Sequence, residues 1–211
     1  MCKIKKISCV AITDHNTIEG ALKFKKKYEK KGIEVIVGEE IMTSNGEIIG
    51  LFLKEEIRKG MTPDETIEAI INQGGLVYIP HPFDLKRKRT VIGFEDIKRN
   101  KKRINFIESY NGRNILKEYG VEQNKIANEL NIIKVIGSDA HTIFELGRNY
   151  MEIENFYNKE EFIKSISNAK FIESPCLKIC HLITKCDKLA KIILKGDFNE
   201  LFRTINKRIR R

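Results

Sequence analysis

The fold is decided by the stretch CVAITDHNTIEGALKFKKKYEKKGIEVIVGEE, Cys9–Glu40. An apolar run from Cys9 to Thr13 gives way to Asp14-His15. A helical pattern follows from Thr17 to Lys31 and stops at Gly32, a residue type favoured just past a helix end. A second β-rich run, Ile33 to Gly38, then delivers Glu39-Glu40. This is a strand–helix–strand unit with its unusual polar residues at the strand ends.

The same alternation continues outward. Further strand-like runs are Glu47 to Leu53, Leu76 to Pro80, Ile104 to Ile107 and Ile132 to Gly137. Several are nearly continuous Val/Ile, as expected of strands covered on both faces. Thr62-Pro63-Asp64-Glu65 predicts a helix start with a capping box and proline at the first helical position, and Gly74-Gly75 ends that helix. Helices are also predicted over Asn114 to Leu130 and Lys159 to Ala169. The alternation predicts an α/β fold with a largely parallel sheet, open or closed as a barrel. From about Ile179 the pattern turns helical and basic, so we expect a main domain over residues 1–178 and a basic helical extension over 179–211.

Composition narrows the class. The 211 residues suffice for one sizeable core. With 41% hydrophobic and 32% charged residues and a mean hydropathy of −0.34, neither a disordered tail nor a collagen-like repeat is consistent. No run approaches the length of apolar residues that spans a bilayer. Met1 to Ile7 lacks the apolar centre of a signal peptide, so a soluble cytoplasmic protein without membrane contact is expected. The net charge of +10 is concentrated in Lys86–Arg89, Lys101–Arg103 and Arg203–Arg211. Such patches attract phosphate-bearing ligands. The last could make weak nucleic-acid contacts, although no recognised binding motif accompanies it. Five cysteines cannot all pair, and without a secretory signal they are expected to be reduced. Cys176, Cys180, His181 and Cys186 are near one another, but lack the paired knuckle spacing of familiar zinc sites.

The chemistry gathers elsewhere. Asp14-His15, Glu39-Glu40, His81, Glu108 with Asn111, and Asp139-Ala140-His141 each follow a strand-like run. In parallel α/β folds those carboxyl ends converge on one rim. Three of the four histidines belong to this set, so ligand-type residues are concentrated there. Neutral imidazoles with carboxylates suit zinc, manganese or iron, and a carboxylate can bridge two ions. Asp139 and His141, two apart, can face one side of an extended segment, and Gly137-Ser138 allow a close backbone approach.

Ala11-Ile12-Thr13-Asp14-His15-Asn16-Thr17, Gly38-Glu39-Glu40, Pro80-His81-Pro82-Phe83-Asp84 and Gly137-Ser138-Asp139-Ala140-His141 together resemble the polymerase and histidinol phosphatase (PHP) family, above all its small stand-alone phosphoesterases. The match runs in order from about residue 7 to 183. The resemblance implies a distorted (β/α)7 TIM-like barrel with two or three divalent ions at the strand carboxyl ends. Carried over by motif, the ligands are His15, Glu40, His81, Asp139 and His141, with Glu40 bridging. Asp14 then orients a neighbour, as do Glu108 and Asn111. Two departures stand out. The family's opening H-x-H strand is missing, so the barrel is expected to be incomplete at its N-terminus, less stable and prone to associate, as from a late-placed start, a fragment or a decayed copy. The histidine that many members carry after the G-x-E segment is also missing where this chain reads Glu47-Ile48-Ile49.

The expected reaction is hydrolysis of a phosphate ester by a metal-activated hydroxide. Arg87 or Arg89 is placed to fork the phosphate and Ser138 to approach it. His81, Asp139 and His141 form the catalytic set, with a histidine protonating the leaving oxygen. The branch resemblance suggests a small phosphorylated metabolite, a nucleoside 3′,5′-bisphosphate or a short oligonucleotide, cleaved from the 5′ end. The competing expectation is a degenerate, inactive barrel kept as a binding module.

Overall fold

A computed structural model describes residues 2–84, 86, 87, 89–115 and 119–194. Six strands form one sheet in the order of the chain: β1 (Cys9–His15), β2 (Glu34–Thr43), β3 (Gly46–Leu51), β4 (Leu76–Ile79), β5 (Phe106–Asn111) and β6 (Ile133–Gly137). The helices are α1 (Glu19–Tyr28), α2 (Pro63–Asn72), α3 (Phe94–Asn100), α4 (Val121–Leu130), α5 (Lys159–Ser167) and α6 (Lys178–Leu194). A short hairpin of β7 (Tyr150–Glu152) and β8 (Lys170–Ile172) stands apart from the main sheet. The result is an α/β fold whose sheet curls into a half-barrel. Among the described residues β1 and β6 are its two edges, and no pairing closes it.

The expected largely parallel sheet is corrected to a mixed one. β1–β2, β4–β5 and β5–β6 pair in parallel, but β3 is antiparallel to both neighbours. The cause is the turn Thr43-Ser44-Asn45-Gly46, where the chain reverses directly instead of crossing over. Asn-Gly between apolar runs is a strong short-range hairpin signal. Gly46 takes a φ of 93°, and a Cβ there would stand 2.4 Å from the Ile92 backbone nitrogen. Thr43 Oγ1 donates to the Gly46 carbonyl at 2.7 Å and accepts from Asn45 N–H at 3.0 Å, which locks the turn.

Strand alternation divides the core in two. Val37, Ile41, Ile48, Val77, Ile79 and Ile107 face the helices and pack with Ile67 and Ile70 of α2 and Ile126 of α4. Each such side chain contributes roughly 1.5–3 kcal/mol of apolar burial. The opposite, concave face carries Ile36, Ile49, Leu51, Leu76, Phe106 and Val135, covered by Phe162 and Ile166 of α5. The capping box on α2 forms as predicted, with Thr62 accepting from the Glu65 N–H and Glu65 from the Thr62 N–H. The first predicted helix is α-helical only to Tyr28; a 3₁₀ turn carries it on to Gly32, at φ 77°. The helix α6 begins at Lys178, and its Cys180 is fully buried. Arg203–Arg211 lie outside the described residues.

Candidate metal centre

The register sets the site. Parallel pairing places His15 of β1 opposite Glu40 of β2. Antiparallel pairing places Met42 opposite Glu47 and Glu40 opposite Ile49. Side chains two apart share a face, so His15, Glu40 and Glu47 all point to the concave side at one end of the sheet. His81, just past β4, completes the group at φ 32°, inside the sterically costly left-handed region.

The four side chains form a closed box. His15 Nδ1 lies 3.3 Å from Glu40 Oε2 and 3.4 Å from Glu47 Oε1. His81 Nε2 lies 3.1 Å from Glu40 Oε1 and 3.2 Å from Glu47 Oε2. Each carboxylate therefore spans both imidazoles, one oxygen to each. His81 and Glu47 are buried, whereas His15 opens to solvent. Burial opposes charge on His81, but the hydrogen bonds to Glu40 and Glu47 outweigh it and hold the ring near pKa 9. Burial likewise opposes charge on Glu47, and the bonds and charges of His15 and His81 overcome this, bringing it to about 2.

Behind His81 stands Glu108, fully buried on β5. Its carboxylate accepts from Tyr78 Oη at 2.7 Å, His81 N–H at 2.6 Å and Asn111 Nδ2 at 3.1 Å. Burial raises its pKa against the opposing charge of His81. A Cβ at Gly137 would come within 1.9 Å of Glu108 Oε1, so β6 approaches this carboxylate only because that residue is glycine. Asn111 also reaches Asp139 Oδ2, at 3.4 Å.

Asp139 and His141 form a second limb. Asp139, at φ 47°, is gripped by Arg87 Nη2 at 2.5 Å. Arg87 also stands 3.4 Å from Asp84. His141 Nδ1 is 2.8 Å from its neighbour's backbone carbonyl, Asp139 O, and 3.5 Å from Asp139 Oδ1. A carbonyl only accepts, so the proton sits on Nδ1 and Nε2 is left unprotonated, presenting a lone pair. His141 has no hydrogen bond or ion pair with Glu40 or Glu47.

The remaining expected residues fall as follows. Asp14 points to the opposite face, where a Cβ at Gly20 of α1 would meet its Oδ2 at 2.1 Å. It packs on that helix and not on the box. Glu39 also faces away, accepting from Ile57 N–H at 2.9 Å. Arg89 is exposed and has no ion pair with the site. Ser138 lines, with Glu40, His81 and Asp139, a cavity of about 700 Å³ whose inner wall is the concave sheet face. Cys176 Sγ stands 3.2 Å from His181 Nε2, but Cys180 is buried apart and Cys186 is exposed, so the four residues do not converge.

Glu47 is the residue that sequence reasoning missed. It precedes a strand instead of following one, and only the hairpin brings it to the rim. The segment Glu47-Ile48-Ile49, where the family histidine is missing, still brings a carboxylate beside His15 and His81. Ile48 itself is fully buried against the helices, whereas its neighbour Glu47 points to the concave side.

The donor set fits a divalent cation. One atom each of His15, Glu40 and Glu47 come together, with His15 Nδ1 3.3 Å from Glu40 Oε2 and 3.4 Å from Glu47 Oε1, spacings that two ligands bonded at about 2.0–2.2 Å to one ion can take. It is the one such group among the described residues.

The chain belongs to the PHP domain family, whose model matches residues 1–198. It is 58% identical over 83 residues to the uncharacterized protein MJ1587 of Methanocaldococcus jannaschii, covering 39% of this chain and 48% of that one. It is 36% identical over 151 residues to MJ0417 of the same organism, covering 71% and 59% respectively. The chain thus spans about half the length of the relatives it matches. A two-domain protein of Bacteroides vulgatus, described as containing a predicted PHP-like metal-dependent phosphoesterase, superposes with a TM-score of 0.60 at 15% identity, over 78% of this chain and 56% of that one. PsfC of Pseudomonas syringae superposes at 0.63 with 13% identity, over 90% and 86%. At such identities the likeness is one of fold. Among the described residues no helix is long and apolar enough to cross a membrane.

Proposed function

We propose that this protein is a metal-dependent phosphoesterase, and that the half-barrel is part of a distorted (β/α)7 barrel. The observation that carries the reading is the box of His15, Glu40, Glu47 and His81, in which two carboxylates span two imidazoles. Family membership and the fold of the Bacteroides protein support it.

Those four side chains would hold the divalent ion or ions, manganese, zinc or iron, with Asp139 and His141 flanking. Such an ion supplies Lewis-acid polarisation of a phosphoryl oxygen and acidifies water near it. The protein supplies the rest. Glu108 fixes the backbone of His81 and, through Asn111, the position of Asp139. Arg87, beside Asp139, is a planar donor suited to phosphate oxygens. His141, 42% exposed at the mouth with its Nδ1–H anchored, is placed to take up a proton at Nε2 and, as the imidazolium, pass it to the departing oxygen. His81 is the weaker candidate for that step, because both carboxylates hold its Nε2. The substrate class we favour is a nucleoside bisphosphate or a nucleotide end.

The alternative, an inactive barrel used for binding, draws on the Arg87–Asp139 pair, which engages a candidate ligand. Release of phosphate from a nucleotide panel with added Mn²⁺ separates the two. Turnover that a Glu47→Ala change abolishes supports the enzyme; metal binding without turnover on any member supports the alternative.

A further inference from the structure

The segment that carries Asp139 and His141 is held from behind by a chain of polar groups that runs from buried Glu145 and Arg113 to half-buried residues of α6. Glu145, 5% exposed, accepts through Oε2 from the His141 N–H at 3.0 Å, the Thr142 N–H at 2.9 Å and Thr142 Oγ1 at 3.0 Å. Its other oxygen has no hydrogen-bond donor; the Nε of Arg113, itself 7% exposed, lies 3.5 Å away as an ion pair. The guanidinium continues to α6. Arg113 Nη1 and Nη2 donate to Thr184 Oγ1 at 3.3 and 3.2 Å, and Nη2 stands 3.3 Å from His181 Nδ1.

The proton positions follow. Arginine only donates, so His181 Nδ1 accepts and Nε2 carries the hydrogen. That N–H points to the backbone carbonyl of Arg113 at 3.1 Å. Thr184 Oγ1 accepts from Arg113 and gives its own hydrogen to the Cys180 carbonyl at 2.8 Å. Arg113 is also tied to the site side, its N–H donating to Asn111 Oδ1 at 2.9 Å. A buried guanidinium that loses partners is costly, so removing Thr184 or His181 leaves Arg113 short of acceptors.

We propose that Arg113, His181 and Thr184 are positioning residues, and that α6 acts through Glu145 to fix the Asp139–His141 segment. The C-terminal helix is then a working part of the site and not an appendage. The consequence for catalysis rests on the phosphoesterase reading; the ordering itself does not.

The experiment uses the full chain with Thr184→Val, His181→Phe and Thr184→Ser, and reads amide hydrogen exchange at His141 and Thr142 against Ile107 in β5. The first two variants should speed exchange at His141 and Thr142 by about tenfold or more while Ile107 is unchanged. Thr184→Ser, which keeps the hydroxyl, should restore protection. Unchanged exchange in folded Thr184→Val and His181→Phe overturns the proposal, as does an equal rise at Ile107. With Mn²⁺ and a nucleotide substrate the same variants should lower kcat with little change in KM. Absence of turnover in the unaltered protein would defeat the phosphoesterase reading alone and leave the exchange result standing.

Discussion

At the scale of single residues, the account turns on Glu47. Its carboxylate is one of two that span the imidazoles, so Glu47→Ala should lower bound Mn²⁺ affinity by at least about tenfold, measured by equilibrium binding. Glu47→His, which keeps a ligand type at the same point, should retain most of it. Ile48→His should not add to binding, because that side chain faces the helix-side core. It should instead cost roughly 2–4 kcal/mol in denaturant unfolding by placing an unpartnered ring there. Gly137→Ala tests the support behind the box. The added methyl collides with Glu108, and about 1–3 kcal/mol of lost stability is expected. The ionisation of the box gives a further test in chelator-treated protein. His81 is raised from 6.5 to about 9, so its contribution is complete below pH 6.5 and is lost as pH rises toward 9. Glu47 is depressed from 4.5 to about 2, so its contribution is complete above pH 4.5 and fades as pH falls toward 2. Metal-free stability should therefore plateau between those limits, and His81→Phe should flatten the alkaline decline.

At the scale of elements, the strand and helix pattern was legible because it rests on local signals. Thr62-Pro63-Asp64-Glu65 begins α2 as read, and removing the Thr62 hydroxyl with Thr62→Ala should cost about 1 kcal/mol in thermal or urea unfolding. What the pattern could not supply was direction. A run of apolar residues looks the same in a parallel and an antiparallel strand, and the reversal depends on Asn45-Gly46 and on the left-handed backbone of Gly46. Reading that pair as a hairpin would have turned β3 around and put Glu47 on the rim. Strand ends were also misplaced. β2 runs on to Thr43, so Glu40 lies within it, and β5 runs to Asn111, so Glu108 and Asn111 are strand residues. His15, Glu40 and His81, which the fold brings together, stood out in the sequence because their chemistry is conspicuous against apolar neighbours. Arg113 and Glu145 were not, since an arginine and a glutamate in loops resemble any solvated pair until burial is known.

At the scale of the whole molecule, the curled sheet brings β1, β2, β3 and β4 round so that four distant side chains share one concave rim. The long-range register, and not any local preference, makes the site. The most direct test is elemental analysis and Mn²⁺ titration of the full chain beside a His15→Ala, Glu40→Gln, Glu47→Gln variant whose circular dichroism matches the original. The account predicts stoichiometric metal on the unaltered chain and almost none on the variant. Equal loading of the two proteins, or an unaltered chain that takes up no divalent ion, would contradict it.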